Sequence, residues 1–501
     1  MGEEFVMGGK REQAFEREWE RPEFRDFMKL SLKTEATWDD IPVAIGRQFE
    51  GERIRASDMY CEFGGPKVEY KGERVVIKSE EEVEDQKVEV VGPDVDQLEP
   101  GGSYPIFTLV ECAGELSPAM EINLGARIHH WTNFINGMMH LNAKDEIWIR
   151  ISKEAVEKGM NLKKYGTVLA RLYVSEFPKV HKCQVTIFTD PEKVREHVEE
   201  MRRYYEEKER ALAQMKEEET KPWYSCTLCQ SFASAHVCLI TPERPANCGA
   251  ITWADAKAGH EMEPTGAWQP FDPGECLDPI RGEWSGANKE IENRSGGINK
   301  RVNLHSLFGY PHTSCGCFEM IAFYIPEVDG IGLVDRKYTK PTVNKLPFST
   351  MAARTGGGMQ VEGLLGCSKG YARSRKFWQA DGGWYRIVWM PSHLKQELLD
   401  YIPEDMRDKI ATEKEANTIE ELKKFLMEKD HPVVKGVVRP VDGKKITEGW
   451  KVGLTKEALL EYIEEHEGEI DLEECAAEFG VTEEEVEKLI NELVEEGVLE
   501  M

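Results

Sequence analysis

The sequence has no apolar run that approaches the roughly 20 residues needed to cross a bilayer. It also has no excess of positive charge, since 64 Lys and Arg stand against 92 Asp and Glu, for a net charge of −28. The start of the chain, MGEEFVMGGKREQAFEREWERPEF, is charged throughout and lacks the apolar centre of a secretory signal. These absences argue against membrane and nucleic-acid partners and predict a cytoplasmic protein.

Changes in composition along the chain predict an α+β multidomain fold. Segments such as YPIFTLVECAG and CQVTIFTD are rich in β-branched and aromatic residues, which favours strands. A charged segment with helical periodicity begins at Pro191 and ends at Pro222. The predicted units are a charged N-terminal lead-in at 1–37, a mixed α/β domain at 38–190, a long connecting helix at 191–222, a cysteine-rich α+β metal domain at 223–450 and a small all-α, acidic docking tail of three helices at 454–501.

Four of the twelve cysteines form the loop CTLCQSFASAHVCLITPERPANC. Its spacing, C-x2-C-x8-C-x9-C, supplies the four thiolates that a [4Fe–4S] cluster or a tetrahedral zinc ion requires. Zinc sites pair two C-x2-C knuckles, and because this loop has only one, its irregular gaps favour the cluster. Four unrelated buried cysteines are the alternative. His236 is expected to be a hydrogen-bonding neighbour, because four thiolates already complete a cluster: Cys226, Cys229, Cys238 and Cys248.

The tripeptide Cys315-Gly316-Cys317 has too little spacing for the usual zinc or iron–sulfur knuckle. Its two thiolates flank the backbone amides of Gly316 and Cys317. If these amides lose their protons, the tripeptide offers two sulfur and two nitrogen ligands in one plane. Such a set selects Ni(II) or Cu(II) over zinc. A tight turn with two incidental cysteines is the alternative.

The two motifs together resemble the A-cluster of CO-methylating acetyl-CoA synthases, in particular the beta subunits of archaeal acetyl-CoA decarbonylase/synthase complexes. In that family C-x2-C-x8-C-x9-C is followed 67 residues later by C-G-C, and this sequence keeps every gap, including 67 from Cys248 to Cys315. The similarity extends over about 31–450, where RTGGGMQVEGLLG and ADGGWYRIVWMP also look like the family. Bacterial members carry a further N-terminal domain, so the shorter archaeal form is expected.

The resemblance implies that the four loop cysteines hold a [4Fe–4S] cluster and that Cys229 also bridges to a first nickel ion. Cys315 and Cys317 would bridge this nickel to a second one, which also takes the amide nitrogens of Gly316 and Cys317. Phe232 would stand over an open position on the first nickel. By resemblance, the catalytic residues are therefore Cys229, Cys315, Cys317 and Phe232.

The resemblance also implies the activity and the partners. The family condenses CO, a methyl group and coenzyme A into acetyl-CoA, and it catalyses the reverse cleavage. The methyl donor would be a corrinoid iron–sulfur protein. Further expected partners are the CO dehydrogenase subunits of a multienzyme complex, and ferredoxin.

Coenzyme A carries phosphate charges, so an acidic chain must gather local cations to bind it. The stretch YARSRKFWQADGGWYR offers four cations for phosphate and a tryptophan that could stack on adenine: Arg373, Arg375, Lys376, Arg386 and Trp378. The 38–190 domain offers a second candidate set: Arg127, His129, His130 and Trp131. A solvated charged face is the alternative for both.

Two other classes of protein stay open at this point. An electron-transfer protein with a [4Fe–4S] cluster alone would leave Cys315 and Cys317 unused. A structural zinc protein with an acidic helical tail would contain no iron. Neither class accounts for both cysteine motifs at their spacing.

Overall fold

Two four-stranded sheets form the first half of the chain. The computed structural model describes residues 38–50, 53–141, 147–212, 214–355, 357–450, 455–466, 470–479, 481–495 and 497–499, so the lead-in expected at 1–37 lies outside the described residues. The elements of this half are β1 Met59–Gly64, β2 Lys71–Ile77, β3 Val88–Val91, β4 Ser103–Tyr104, β5 Ile106–Gly114, α1 Glu121–Asn133, β6 Met138–Leu141, β7 Trp148–Ser152, α2 Lys153–Glu157, α3 Leu162–Glu176 and β8 Val180–Phe188.

The strand orders are β4–β1–β7–β6 and β2–β5–β8–β3. In the second sheet β5 and β8 are antiparallel, and each has a parallel partner at the edge, β2 beside β5 and β3 beside β8. The two segments quoted above as strands form β5 and β8. Helix α3 packs on β8 and α1 packs on β2. These helices cover the sheet and carry apolar side chains into the core.

The connecting helix is shorter than the sequence predicted, because α4 runs over Pro191–Leu212 and does not reach residue 222. The Glu217 carboxylate beyond it is buried, lies 2.9 Å from His305 Nε2 and accepts a hydrogen bond from Lys376 Nζ at 2.6 Å. Burial alone would raise the pKa of Glu217, but His305 and Lys376 lower it to about 2. These tertiary contacts outweigh the helix propensity of the glutamate run.

The second half contains three further sheets, of three, two and four strands. Its elements are β9 Trp223–Cys226, β10 Cys238–Ile240, α5 Trp253–Met262, β11 Trp268–Phe271, β12 Cys276–Asp278, β13 Glu283–Trp284, α6 Ser285–Arg294, β14 Met320–Ile325, β15 Gly330–Asp335, α7 Phe348–Thr355, β16 Leu364–Cys367, α8 Lys369–Ala372, β17 Ile387–Trp389, α9 Ser392–Glu397, α10 Ile419–Glu428 and α11 Pro432–Lys435. The strands are ordered β10–β9–β11, β12–β13 and β16–β14–β15–β17.

The sheet that carries the cysteine loop packs on the first half of the chain. Tyr224 and Trp268 belong to the same apolar core as the residues of the first two sheets. Asn123 Nδ2 on α1 donates a hydrogen bond to the Asp255 carbonyl on α5 at 2.6 Å. Residues 307–437 supply two further cores. The sheet β10–β9–β11 is thus packed as part of the first half, and the division into domains at 190 and 223 stays a prediction.

The C-terminal tail folds around its own core. It consists of α12 Lys456–Glu465, α13 Leu472–Phe479 and α14 Glu483–Glu495. Within the described part of the chain, the buried members of this core all come from the tail: Leu459, Tyr462, Ile463, Cys475, Ala476, Val486 and Leu493.

The fold class is confirmed as mixed α and β, with several sheets and a small helical C-terminal region. Among the residues that the structure describes, no helix is both long and apolar enough to cross a membrane. The docking function of the tail stays a prediction.

Because the tail has its own core, a chain that ends at Trp450 should keep the apparent melting temperature of the larger part. Trp450 must be retained, since its Nε1 donates to the Val328 carbonyl at 2.8 Å. A chain that ends at Lys445 is the matched control. It also loses Ile446, and removing a packed tryptophan alone costs about 3–5 kcal/mol. Differential scanning calorimetry should show destabilisation only for the shorter chain, and equal destabilisation of both would tie the tail to the main fold.

Candidate metal centre

The four cysteines of the loop lie on short elements that meet at one end of the sheet β10–β9–β11. Cys226 ends β9 and Cys238 begins β10, and the two residues are directly paired in the antiparallel ladder. Cys229 lies in a single 3-10 turn, Leu228–Ser231. Cys248 lies in the turn before α5, and its thiol is close enough to those of Cys226 and Cys238 to influence their protonation.

Backbone amides point at three of these sulfurs. Burial raises the pKa of the Cys226, Cys238 and Cys248 thiols, to about 12 for Cys248, while amide N–H groups act in the opposite direction by stabilising the thiolate. Hydrogen bonds to sulfur are also the means by which proteins tune iron–sulfur clusters. The donating amides belong to Leu228 for Cys226, Asn247 for Cys238, and Ala250 and Ile251 for Cys248.

The structure brings the Cys-Gly-Cys tripeptide to the cysteine loop. The Sγ atoms of Cys229, Cys315 and Cys317 all lie within 4.8 Å of one another. The Cys317 backbone N–H donates to Cys315 Sγ at 3.2 Å. Hydrogen bonds from Cys229 and Cys317 hold the pKa of the Cys315 thiol well below its usual value, while the same contacts raise that of Cys229. Three soft donors from distant parts of the sequence thus converge on one point.

His236 connects the two cysteine motifs. Its Nε2 lies 3.0 Å from Cys238 Sγ, and its Nδ1 lies 3.0 Å from Thr313 Oγ1. The imidazole also lies close enough to Cys315 to lower the pKa of its thiol. The prediction that His236 is a hydrogen-bonding neighbour of the loop cysteines agrees with these contacts.

Phe232 lies against the tripeptide. A Cβ atom on Gly316 would lie 3.4 Å from Phe232 Cε2, which is van der Waals contact distance. The Phe232 ring is half-buried, so an aromatic ring covers one side of the tripeptide at Gly316.

A second glycine packs its backbone against the loop. Gly358 has φ +78°, and a Cβ there would lie 2.2 Å from the His236 backbone nitrogen. Its amide donates to the Ser314 carbonyl at 3.0 Å, and Asn299 Nδ2 donates to the carbonyls of both Ala235 and Gly358 at 3.1 Å. The glycine-rich stretch therefore lets one backbone approach the two cysteine motifs closely.

The predicted cations for coenzyme A divide into two groups. Arg373, Arg375 and Lys376 line one cleft of about 870 Å³ together with Trp384. Each of the three is within 4 Å of a carboxylate: Arg373 of Glu397, Arg375 of Glu243, and Lys376 of Glu217, Glu218 and Glu243. The cleft is consequently charge-compensated and is not a free cationic surface.

The other side chains predicted to contact coenzyme A are buried or paired with a carboxylate. Trp378 is completely buried, and the buried Arg386 is paired with Asp329. Trp378 does not reach solvent in this structure and Arg386 is 8% exposed, so this arrangement gives neither side chain an open surface for a ligand. That Trp378 stacks on adenine and Arg386 binds phosphate stays a prediction. In the first half of the chain, Arg127 is paired with Glu263 at 2.8 Å. Its neighbours in the second candidate set are buried: His129, His130 and Trp131.

Three segments of the chain match known families. The family described as CO dehydrogenase/acetyl-CoA synthase complex beta subunit matches residues 41–194, and the family described as the C-terminal part of the ACS/CODH beta subunit matches residues 205–438. Subunit beta of the acetyl-CoA decarbonylase/synthase complex of Archaeoglobus fulgidus is 49% identical over 426 residues, covering 84% of this chain and 80% of its own. The chain belongs to this family of beta subunits.

Other beta subunits are similar over the same part of the chain. That of Methanopyrus kandleri is 49% identical over 79% of this chain and 85% of its own, and beta 2 of Methanocaldococcus jannaschii is 46% identical over 82% and 87%. The solved C-terminal domain of an acetyl-coenzyme A synthase alpha subunit is 41% identical over 24% of this chain and 94% of its own, at a TM-score of 0.22 that supports no comparison of folds. Residues 455–495 match a different family, the C-terminal HTH domain of cell division protein CdvB.

Two residues around the cysteines of this beta subunit were not identified from the sequence. Asn247 Nδ2 donates to the Thr313 carbonyl at 2.9 Å and so ties the loop to the segment before the tripeptide. Arg336 donates from Nη2 to the Gly316 carbonyl at 2.7 Å. Asn247 is part of the cysteine loop, but its bond to Thr313 forms only through tertiary folding, as does the contact of Arg336 with Gly316. The local sequence does not predict either contact.

The close approach at Gly358 predicts a sharp difference between neighbouring glycines. Gly357 and Gly358 both have positive φ, so alanine at either position costs about 1–2 kcal/mol in backbone strain. Only Gly358→Ala meets the backbone of His236, whereas the Cβ of Gly357→Ala meets nothing within 4 Å. We expect Gly358→Ala to lower the melting temperature and the iron content well below those of Gly357→Ala. Equal losses in the two variants would show that no close backbone approach exists.

Proposed function

We propose that this chain forms and cleaves acetyl-CoA from CO, a methyl group and coenzyme A, at a Ni–Ni–[4Fe–4S] centre. The observation that carries the proposal is the convergence of the Cys229, Cys315 and Cys317 thiols within 4.8 Å of one another. An electron-transfer cluster has no use for this contact. Membership in the beta-subunit family supports the same reaction.

The donor set fits the proposed groups. The four loop cysteines would hold the [4Fe–4S] cluster. Backbone N–H groups stabilise the thiolates of three of them, Cys226, Cys238 and Cys248. Cys229, Cys315 and Cys317 would hold a first nickel ion, and the tripeptide sulfurs with the amide nitrogens of Gly316 and Cys317 would hold the second. When bound, a nickel ion with sulfur ligands and an open position supplies a site for CO and for a methyl group.

The chain itself provides shielding and order around this centre. Cys315 is 1% exposed, His236 is also 1% exposed, and the half-buried Phe232 ring covers the tripeptide at Gly316. Exclusion of water strengthens electrostatic interactions and limits side reactions with solvent. We assign Phe232 the role of covering the substrate position.

For coenzyme A, we propose the cleft at Arg373, Arg375 and Lys376, with Trp384 as the aromatic side chain in its wall. Phosphate groups would replace Glu243, which now lies 3.4 Å from Arg375 and 3.3 Å from Lys376. Since the relatives belong to a multienzyme complex, we further propose a methyl-corrinoid iron–sulfur protein, CO dehydrogenase subunits and ferredoxin as partners of this chain in the cytoplasm.

Metal analysis of anaerobically purified variants tests the proposed centre. Cys315→Ser and Cys317→Ser should lose nickel and acetyl transfer while they retain iron, because the four loop thiols are intact. Cys226→Ser should lose iron. Cys276→Ser, which changes a cysteine outside both motifs, is the matched control and should keep both metals. Loss of iron in step with nickel in the tripeptide variants would contradict the division, and absence of nickel from the unmodified protein would favour an electron-transfer role.

The role of Phe232 is tested by removal of its ring. Phe232→Ala should leave iron and nickel contents unchanged, because the residue supplies no ligand, but should change CO affinity and the rate of acetyl transfer by several-fold. Phe308→Ala is the matched control, since this half-buried ring packs on Tyr324 and Arg386. If the two variants have the same kinetics, Phe232 is ordinary packing.

A further inference from the structure

Arg336 holds the central peptide of the Cys-Gly-Cys tripeptide. Its Nη2 donates to the Gly316 carbonyl oxygen at 2.7 Å. The guanidinium lies over the rings of Phe348 and Phe318, with its central carbon 5.0 and 5.9 Å from their centroids. Both phenylalanines are buried. Arg336 is thus a half-buried cation with a defined orientation toward one carbonyl oxygen.

The position of Arg336 follows from the sheet. In the β14–β15 ladder, Met320 is paired with Asp335, the last residue of β15. Arg336 comes next along the chain, so it lies beside the segment that links the tripeptide to β14. From this position the long Arg336 side chain reaches the Gly316 carbonyl oxygen.

The Gly316 carbonyl and the Cys317 nitrogen belong to the same peptide group. Resonance couples these two atoms, which is why the peptide bond has partial double-bond character. If the Cys317 nitrogen gives up its proton to become a metal ligand, part of the resulting negative charge resides on the Gly316 oxygen. The proton leaves to solvent, and no electron is transferred. A guanidinium hydrogen bond to that oxygen becomes charge-assisted and strengthens.

We propose that Arg336 is a positioning residue that stabilises the Gly316–Cys317 peptide in the deprotonated form in which it binds nickel. The inference rests on the proposed function, because it needs a nickel ion at the tripeptide. It explains why a cation is directed at a peptide oxygen beside three thiols. It also assigns a function to a residue that supplies no ligand and touches no substrate.

A purely structural role for Arg336 predicts different behaviour. A cation that only anchored the strand end or packed on Phe318 and Phe348 would affect folding, and iron and nickel would be lost together. A residue that stabilises the peptide as a nitrogen ligand affects nickel alone. The ratio of nickel to iron and the nickel spectrum therefore separate the two roles.

The test uses the full chain, reconstituted anaerobically with iron and sulfide and then titrated with Ni(II) against a competing chelator. Binding is followed by the visible absorption of Ni(II) with amide-nitrogen ligands, and the nitrogen ligands are counted by X-ray absorption. Arg336→Met removes the charge and keeps a chain that can pack on the rings, and Arg336→Lys keeps the charge. Arg354→Met, which removes an exposed cation from α7, is the control for net charge.

We expect Arg336→Met to bind nickel about ten- to hundredfold more weakly, the range for loss of a hydrogen bond to a charged group. Its iron content and melting temperature should be unchanged, Arg336→Lys should be intermediate, and Arg354→Met should match the unmodified protein. Unchanged nickel affinity in Arg336→Met, equal weakening in Arg354→Met, or parallel loss of iron would overturn the inference. Absence of nickel binding by the unmodified protein would overturn the proposed function, and the inference with it.

Discussion

The contact between the Cys229 thiol and the thiols of Cys315 and Cys317 is the constraint on which the rest of the site depends. Cys229 lies in a turn that follows β9, and the sheet of β9 packs with the first half of the chain. Cys315 and Cys317 precede β14, which belongs to the cores formed by residues 307–437. The three sulfurs lie within 4.8 Å of one another only if these parts of the molecule are held in one relative position. The metal centre is therefore also a junction in the fold.

Buried polar side chains maintain that relative position. His236 Nε2 lies 3.0 Å from Cys238 Sγ, and its Nδ1 lies 3.0 Å from the Thr313 hydroxyl. The Thr313 carbonyl accepts a hydrogen bond from the Asn247 side chain. Buried hydrogen-bonded networks specify geometry more strictly than apolar contacts do, because an unpaired member carries the full cost of desolvation. The network consequently favours one relative placement of the two cysteine motifs.

The sequence revealed the parts of the site that depend on local spacing. Four cysteines within one loop, and two cysteines that flank a glycine, restrict the ligand chemistry whatever the fold, and the β-branched segments of β5 and β8 identify strands. The features that the sequence did not predict depend on contacts between residues that are far apart in the chain. The connecting helix ends at Leu212 because the buried Glu217 meets His305 and Lys376. No local pattern predicts that contact.

The same limit explains the expected surface for coenzyme A. A stretch of basic residues looks like a cationic patch when the sequence is read alone, because their carboxylate partners lie far away in the chain. Glu243 is such a partner for Arg375, and Asp329 is one for Arg386. Spacing identifies which atoms can bind a metal, because a ligand is defined by its own chemistry. Whether a charge is free depends on all its neighbours, and only the folded chain determines them.

Charge also governs how this centre can exist both with and without metal. Burial raises the pKa of the Cys226 and Cys248 thiols, so without metal these thiols are protonated and neutral. Because a neutral thiol costs little free energy to bury, the apo site can fold at modest cost. Metal binding expels those protons and leaves anionic ligands in a dry environment. The amide N–H groups aimed at the loop sulfurs and the Arg336 guanidinium at the Gly316 carbonyl are already in place to meet that charge. Because these donors are fixed by the backbone and by ring packing, stabilising the metal-bound state requires little reorganisation of the chain.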